Sequence, residues 1–201
     1  MADQDPIGAR TDEELAHDAG AGSRRSFEEL ALRYKRRLFV YFRPRVGSDQ
    51  DAEDMVQETF LKLFRNIGSY DSAFRFSTWL YTSASRLAID SFRKSAAVRD
   101  GLAAARGGEP AGLTEGGSGE PGVSPLWDAA RTLGPNRFRA LWLRYGEDMS
   151  IEEIAAVLGR TRLAVRILLH RARTNLMERL GPDLSRATRP RPGTARETAG
   201  K

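Results

Sequence analysis

The sequence predicts an all-α protein of two small helical domains joined by a flexible linker, and three observations carry that reading. Runs that alternate Val, Ile or Thr with polar residues, the mark of strands, are absent. Residues 24–95 and 126–180 instead carry apolar side chains at helical spacing, bounded by caps and breakers. Between them, residues 96–125 are rich in Gly, Ala and Pro without a sustained apolar period, so they cannot bury enough surface to offset the entropy of ordering. Residues 1–23 and 181–201 also lack a strong pattern and read as a flexible N-terminal segment and a flexible basic tail. Each block is near the lower size limit for an independent core, which favours closely packed helices.

The elements follow in order. Ser26 with Glu29 has capping-box spacing for a first helix, and Pro44 ends it. A second helix is expected from Asp51 to Asn66, before Gly68, and Ser77 is placed to cap a third that reaches about Arg93. In the second block a short helix from Leu126 to Leu133 stops at Gly134, and Pro135 occupies the first position of the next. Ser150 and Glu153 form another capping box, and the helix they open runs to Leu158 before Gly159 breaks it. A last helix starts after Thr161. Two helices around a short glycine-bearing turn make a helix-turn-helix, whose second helix enters the major groove of DNA.

Composition narrows the chemistry. A net charge of +5 and a pI near 9.9 over 201 residues point to a polyanionic partner. With no cysteine, and with His17 and His170 far apart, neither disulfides nor a local metal site is expected, and no cofactor is implied. The N-terminus has no basic start followed by an apolar run, and no stretch approaches the roughly 20 apolar residues of a membrane span. A cytoplasmic protein without membrane insertion is expected.

On the last helix, Val165, Leu168, Leu169, Ala172 and Leu176 share a core face. Arg162, Arg166 and Arg173 gather on a flank, with His170 beside them and Arg160 in the turn. With Arg171, residues 159–173 hold five arginines and no acid. The planar guanidinium fork suits phosphate oxygens or the guanine edge. Ile167 and Leu163 lie nearly opposite Val165, an apolar pair on the side turned toward DNA.

In the first block charge is segregated: residues 33–45 carry six basic side chains and no acid, residues 49–58 five acids and no base. Ala52, Met55, Val56, Phe60, Leu63 and Ile67 form the core face of the second helix. Leu61 points away, ringed by Asp54, Gln57, Glu58 and Arg65, an arrangement that suits docking of a partner. On the third helix Trp79, Thr82, Arg86, Ile89 and Arg93 make a stripe. Such a stripe fits single-stranded nucleic acid, where bases stack on aromatic rings and guanidinium groups hold phosphates, although a lone tryptophan more often belongs to the core.

These residues together resemble the extracytoplasmic-function sigma factors of the sigma-70 family. DAEDMVQETFLKLFRNIGSYD is similar to the family's region 2.2, FRFSTWLYTSASRLAIDSFRK to regions 2.3 and 2.4, and LGPNRFRALWLRYGEDMSIEEIAAVLGRTRLAVRILLHRAR to region 4. The resemblance implies a region 2 domain over 24–95 that binds core RNA polymerase and the promoter −10 element, and a region 4 domain over 126–180 that reads the −35 element as duplex. It implies that Asp54, Gln57 and Glu58 lie on the helix that grips the polymerase clamp. The loop from Ile67 to Phe74, with Ser69, Tyr70, Asp71 and Phe74, becomes a candidate pocket for a flipped −10 base. Core polymerase and promoter DNA are the implied partners, with an anti-sigma factor as a further candidate. Two positions depart from the family pattern: Arg86 stands where asparagine is common, and Ile167-Leu168 replace a polar pair. A free-standing helix-turn-helix regulator is the alternative, although it has no evident use for the acidic second helix. A nucleic-acid enzyme fits less well, since clustered metal ligands, a nucleophile paired with histidine and a phosphate-cradling Gly-Lys loop are all missing.

Overall fold

The computed structural model describes residues 7–90 and 125–180, and every regular element among them is helical. The expected linker up to residue 124, the basic tail and Arg93 lie outside the described residues.

Residues 1–23, expected to be flexible, instead include a 3-10 turn, Ile7–Ala9, and a helix α1, Asp12–Gly20. A capping box starts α1: the Glu14 N–H donates to Thr11 Oγ1 (3.2 Å) and the Thr11 N–H donates to Glu14 Oε2 (2.8 Å). Only Leu15, Ala16 and Ala19 are buried, too small a set to stand out as a periodic pattern. Tertiary bonds supply the rest. Arg33 pairs with Asp12 (2.8 Å) and donates to the carbonyls of Gly8 (3.0 Å) and Arg10 (2.8 Å). The Tyr34 hydroxyl donates to Asp12 (2.6 Å), and Arg10 pairs with Asp18.

Helix α2 spans Arg24–Phe42 and ends in a 3-10 turn, Arg43–Arg45, that contains Pro44. Ser26 does not cap it. Ser23, three residues earlier, accepts from the Ser26 N–H (3.3 Å), which leaves Ser26 buried in the first turn. Helix α3, Asp49–Asn66, is capped by Ser48 and buries Ala52, Met55, Val56 and Leu63 as the periodicity requires. The buried Thr59 hydroxyl is satisfied by the Met55 carbonyl (2.7 Å).

Helix α4, described over residues 76–90, also departs from its expected start. Ser77 lies inside the helix, 5% exposed. The cap comes from a distant segment: the Phe76 N–H donates to Glu13 Oε1 of α1 at 3.0 Å. No local pattern can reveal such a cap.

The second domain is built from α5 (Pro125–Arg131), α6 (Pro135–Leu141), α7 (Ile151–Leu158) and α8 (Arg162–Leu180). Trp127, Phe138 and Trp142 pack in its core, the Trp127 and Trp142 ring centroids 4.9 Å apart. The chain leaves α6 through a π turn, Trp142–Gly146, and a Cβ on Gly146 would sit 3.1 Å from the Trp142 ring. Gly159 ends α7 at φ 61°, the left-handed conformation that favours glycine. Ser150 and Glu153 form the expected capping box.

The two domains meet along a polar seam that the sequence gives no hint of. Glu147, 3% exposed, lies beyond the π turn against α2 and α4. Its Oε1 accepts from Arg37 Nε (2.9 Å) and from the Tyr81 hydroxyl (2.6 Å), and its Oε2 lies 2.5 Å from Arg37 Nη2. Trp142 Nε1 donates to the same Tyr81 oxygen (3.2 Å). Beside this group Arg139, 5% exposed, donates to the Tyr41 hydroxyl (2.8 Å) and to Ser85 Oγ (2.5 Å). Burial, and then the charge of Arg139, push the Arg45 guanidinium down to about 10. Arg75 donates to the carbonyl of Asp148 (3.1 Å), a residue held at φ 51°, and the Thr78 hydroxyl donates to Glu153 (2.7 Å).

Candidate nucleic-acid and partner interfaces

Three surfaces carry the residues singled out from sequence. The first is the outer face of α3. Asp54, Gln57, Glu58 and Arg65 are exposed there, and Leu61 is 57% exposed. Leu61 is not alone, however. Phe64, one turn further on, is 51% exposed and leans edge-on against Phe27 at 5.0 Å. The i, i+3 spacing was available in sequence, but Phe64 sits among core aromatics and does not announce itself as surface. Glu58, Leu61, Lys62 and Arg65 line a groove that continues to Leu87 and Asp90 of α4. An apolar centre with charged edges is the composition of a docking site. The basic run behind this face has another use: Arg33, Arg37 and Arg43 are all in ion pairs within the fold.

The second surface is the loop over residues 67–75 with α4. The Tyr70 hydroxyl donates to the Phe74 carbonyl (2.6 Å), the Ser69 hydroxyl to the Asn66 carbonyl (2.7 Å), and the Ala73 N–H to Asp71 Oδ1 (2.9 Å). These bonds shape a tight loop with Ser69, Asp71 and Phe74 exposed, Phe74 by 65%. Trp79 is half-buried in a cluster with Tyr70 (5.5 Å) and Phe76 (5.9 Å), so it forms a wall behind the loop, while Arg86 is exposed on the same helix. Burial, then the carboxylates of Glu13 and Asp71, push the Tyr70 phenol up to about 12. On α4 the expected stripe is flanked by Thr78, Tyr81 and Ser85, which face the seam.

The third surface is α8. Val165, Leu169, Ala172 and Leu176 are buried and Leu168 is partly so, as its periodicity predicts. Arg160, Arg162, Arg166, His170, Arg171 and Arg173 are exposed, Leu163 is 66% exposed and Ile167 44%. Arg162 pairs with Glu152 of α7 (3.4 Å), and its own backbone bond, then the charges of Arg162 and Arg166, hold Glu152 below the usual carboxylate range. The remaining cations present positive charge to the solvent.

A helix-turn-helix with an arginine-lined second helix, preceded by a helical domain with an acidic, apolar-centred face, is the build of a DNA-binding protein with a protein partner. Comparison with known proteins agrees. The family profile "Sigma-70 region 2" matches residues 30–98 and "Sigma-70, region 4" matches residues 125–176. The ECF RNA polymerase sigma factor BldN of Streptomyces coelicolor is 32% identical over 86% of this chain and 67% of its own length. The RNA polymerase sigma factor CarQ of Myxococcus xanthus is 32% identical over 80% of this chain and 92% of its length. Among solved structures, CnrH in complex with the cytosolic domain of CnrY is similar with a TM-score of 0.58 at 26% identity, over 84% of this chain and 96% of that one. RpoE of Bartonella quintana, in complex with the anti-sigma factor NepR, shares the fold with a TM-score of 0.61 at 21% identity, over 79% and 99%. The chain belongs to the sigma-70 family of RNA polymerase sigma factors, in its extracytoplasmic-function branch. No helix among the described residues is long and apolar enough to cross a membrane.

Proposed function

We propose that this sigma factor docks core polymerase through the outer face of α3, takes the −10 element on the loop 67–75 and α4, and reads the −35 element with α8. The observation that carries the proposal is the pairing of two differently charged surfaces in one chain. The groove around Leu61 suits a protein, and the arginine flank of α8 suits phosphate. A free-standing regulator would need only the second. The protein acts in the cytoplasm, by binding and positioning rather than by catalysing a covalent step. Two structural relatives are described in complex with partner proteins, one an anti-sigma factor, and an inhibitor of that class is a further partner of this chain. Run-off transcription with core polymerase and the DNA upstream of this protein's own coding sequence tests the whole reading. Transcripts that start at a defined site only when the protein is present are expected, and DNA binding without transcription would favour the free-standing regulator.

The apolar pair on α8 has its own expected outcome. Leu163 and Ile167 stand exposed beside Arg166, an apolar pair of the kind that contacts thymine methyl groups once arginines seat a recognition helix on phosphates. Ile167→Ala is expected to change the preferred sequence at one or two base pairs, at roughly 1–3 kcal/mol per lost contact. Arg166→Ala is expected to weaken all sequences alike and to lower the salt dependence by about one unit. Binding of randomised −35 duplexes at two salt concentrations separates the two. If Ile167→Ala leaves the preferred sequence untouched but abolishes association with a co-purifying inhibitor, that face belongs to a protein.

A further inference from the structure

Helix α1 lies outside both matched family regions, yet it touches the −10 loop at each end. At its C-terminal end Gly20 lies against the backbone of Ile67 and Gly68, where the loop begins. At its N-terminal end the half-buried Glu13 accepts the Phe76 N–H at 3.0 Å, where the loop enters α4. This carboxylate meets the positive end of the α4 dipole, and Ser77, the hydroxyl nearest that end, is turned into the core. Phe76 in turn packs against Tyr70 (5.7 Å) and Trp79 (5.9 Å), so the Glu13 bond fixes the ring on which the loop rests. Helix α1 itself is fastened by Asp12 to Arg33 and Tyr34, which makes Glu13 a rigid anchor.

We infer that Glu13 is a positioning residue for promoter opening: from α1 it fixes the junction of loop and α4, and so the pocket that holds an unpaired −10 base. The inference rests on the −10 reading of the loop proposed above. Glu13 touches no DNA; it acts through Phe76 and Tyr70. Without it, the loop keeps its internal bonds and its contacts with Phe76 and Trp79, but the junction of loop and α4 loses its tie to α1. Capture of the flipped base, which needs a preformed pocket, then suffers more than docking or duplex binding.

The test uses the full chain with core polymerase and the same upstream DNA, and reads permanganate reactivity of unpaired thymines, core binding and −35 duplex binding. Glu13→Ala is expected to lower strand opening about tenfold, the scale of one charge-assisted hydrogen bond, with core and duplex binding within about twofold. Glu13→Gln, whose amide oxygen still accepts from Phe76, is expected to recover most of the loss. Opening by Glu13→Ala within about twofold of the unsubstituted protein overturns the inference. Equal loss of opening and core binding, or a Gln variant no better than Ala, also overturns it, since a fold defect then explains the result. No opening even with the unsubstituted protein instead overturns the −10 reading on which the inference rests.

Discussion

Arg37→Ala is expected to release the second domain from the first while leaving each folded. Glu147 has its side chain fully buried at the seam, and Arg37, whose own side chain is 38% exposed, supplies its neutralising charge. Removing one partner of a buried ion pair strands the other, at a cost of about 3–5 kcal/mol, and the partial exposure of Arg37 argues for the lower figure. Global unfolding is not needed to relieve it. Separation of the domains brings the carboxylate to water, so the penalty falls on the closed form and shifts closing toward opening by about a hundredfold. Small-angle X-ray scattering should report a larger radius of gyration, with far-UV circular dichroism unchanged. An unchanged radius with a lowered melting temperature would mean that the seam is part of a single fold.

The same carboxyl makes closing sensitive to acid. Desolvation holds Glu147 above its ordinary value of 4.5, against the lowering effects of the Tyr81 hydroxyl and Arg37. A group whose value rises on closing binds its proton more tightly in the closed form. Closing is therefore most favoured below 4.5 and weakens as pH rises through the raised value. Arg37→Ala removes a lowering contribution, so its separated domains are expected to close again in mild acid. The carboxylates Glu14, Asp18 and Glu152, and Glu153 at the seam itself, are held below their ordinary values and lose their contributions only below those values, which leaves the window between 4.5 and the raised value of Glu147 clear. On the −10 and −35 reading proposed above, opening matters for function, because elements centred about 10 and 35 positions upstream are roughly 85 Å apart along straight B-DNA. Two packed domains of this size, each about 30 Å across, cannot reach both.

Helices announced themselves in the sequence wherever a local signal made them. The Ser150–Glu153 capping box, the Gly159 break and the buried stripe of α8 depend on spacing within a few residues, and the structure has all three. Helix α1 did not announce itself, because its attachment depends on Arg33 and Tyr34, twenty and more residues away, and its apolar face is mostly alanine. The starts of α2 and α4 differ from the expected ones for related reasons. An earlier serine outcompeted Ser26, and a carboxylate from α1 did the work expected of Ser77. The seam lay furthest from view: Glu147 is one acid in a loop, and nothing local distinguishes it from a solvated one. Its role follows only from burial beside Arg37 and Tyr81.

Glu58→Arg combined with Leu61→Ala is expected to weaken binding to core polymerase by about 2 kcal/mol or more, close to thirtyfold. Leu61 is the apolar centre of the α3 surface, with Phe64 beside it, and truncation to Ala removes the side chain best placed to be buried by a partner. Glu58 lines the same groove, and reversing its charge sets a cation against whatever surface the acidic N-terminal half of α3 is built to meet. Both residues are exposed and make none of the seam contacts, so helicity, the melting transition and the closed arrangement should be unaffected. Leu32→Ala is the control: at 74% exposed on α2 it removes as much apolar surface from a face with no assigned partner, and it should leave binding unchanged. Titration of labelled core polymerase measures all three proteins. Equal affinity of the double variant and the unsubstituted protein would move the docking site away from α3, and loss with Leu32→Ala as well would mean that apolar surface in general, rather than this groove, drives the association.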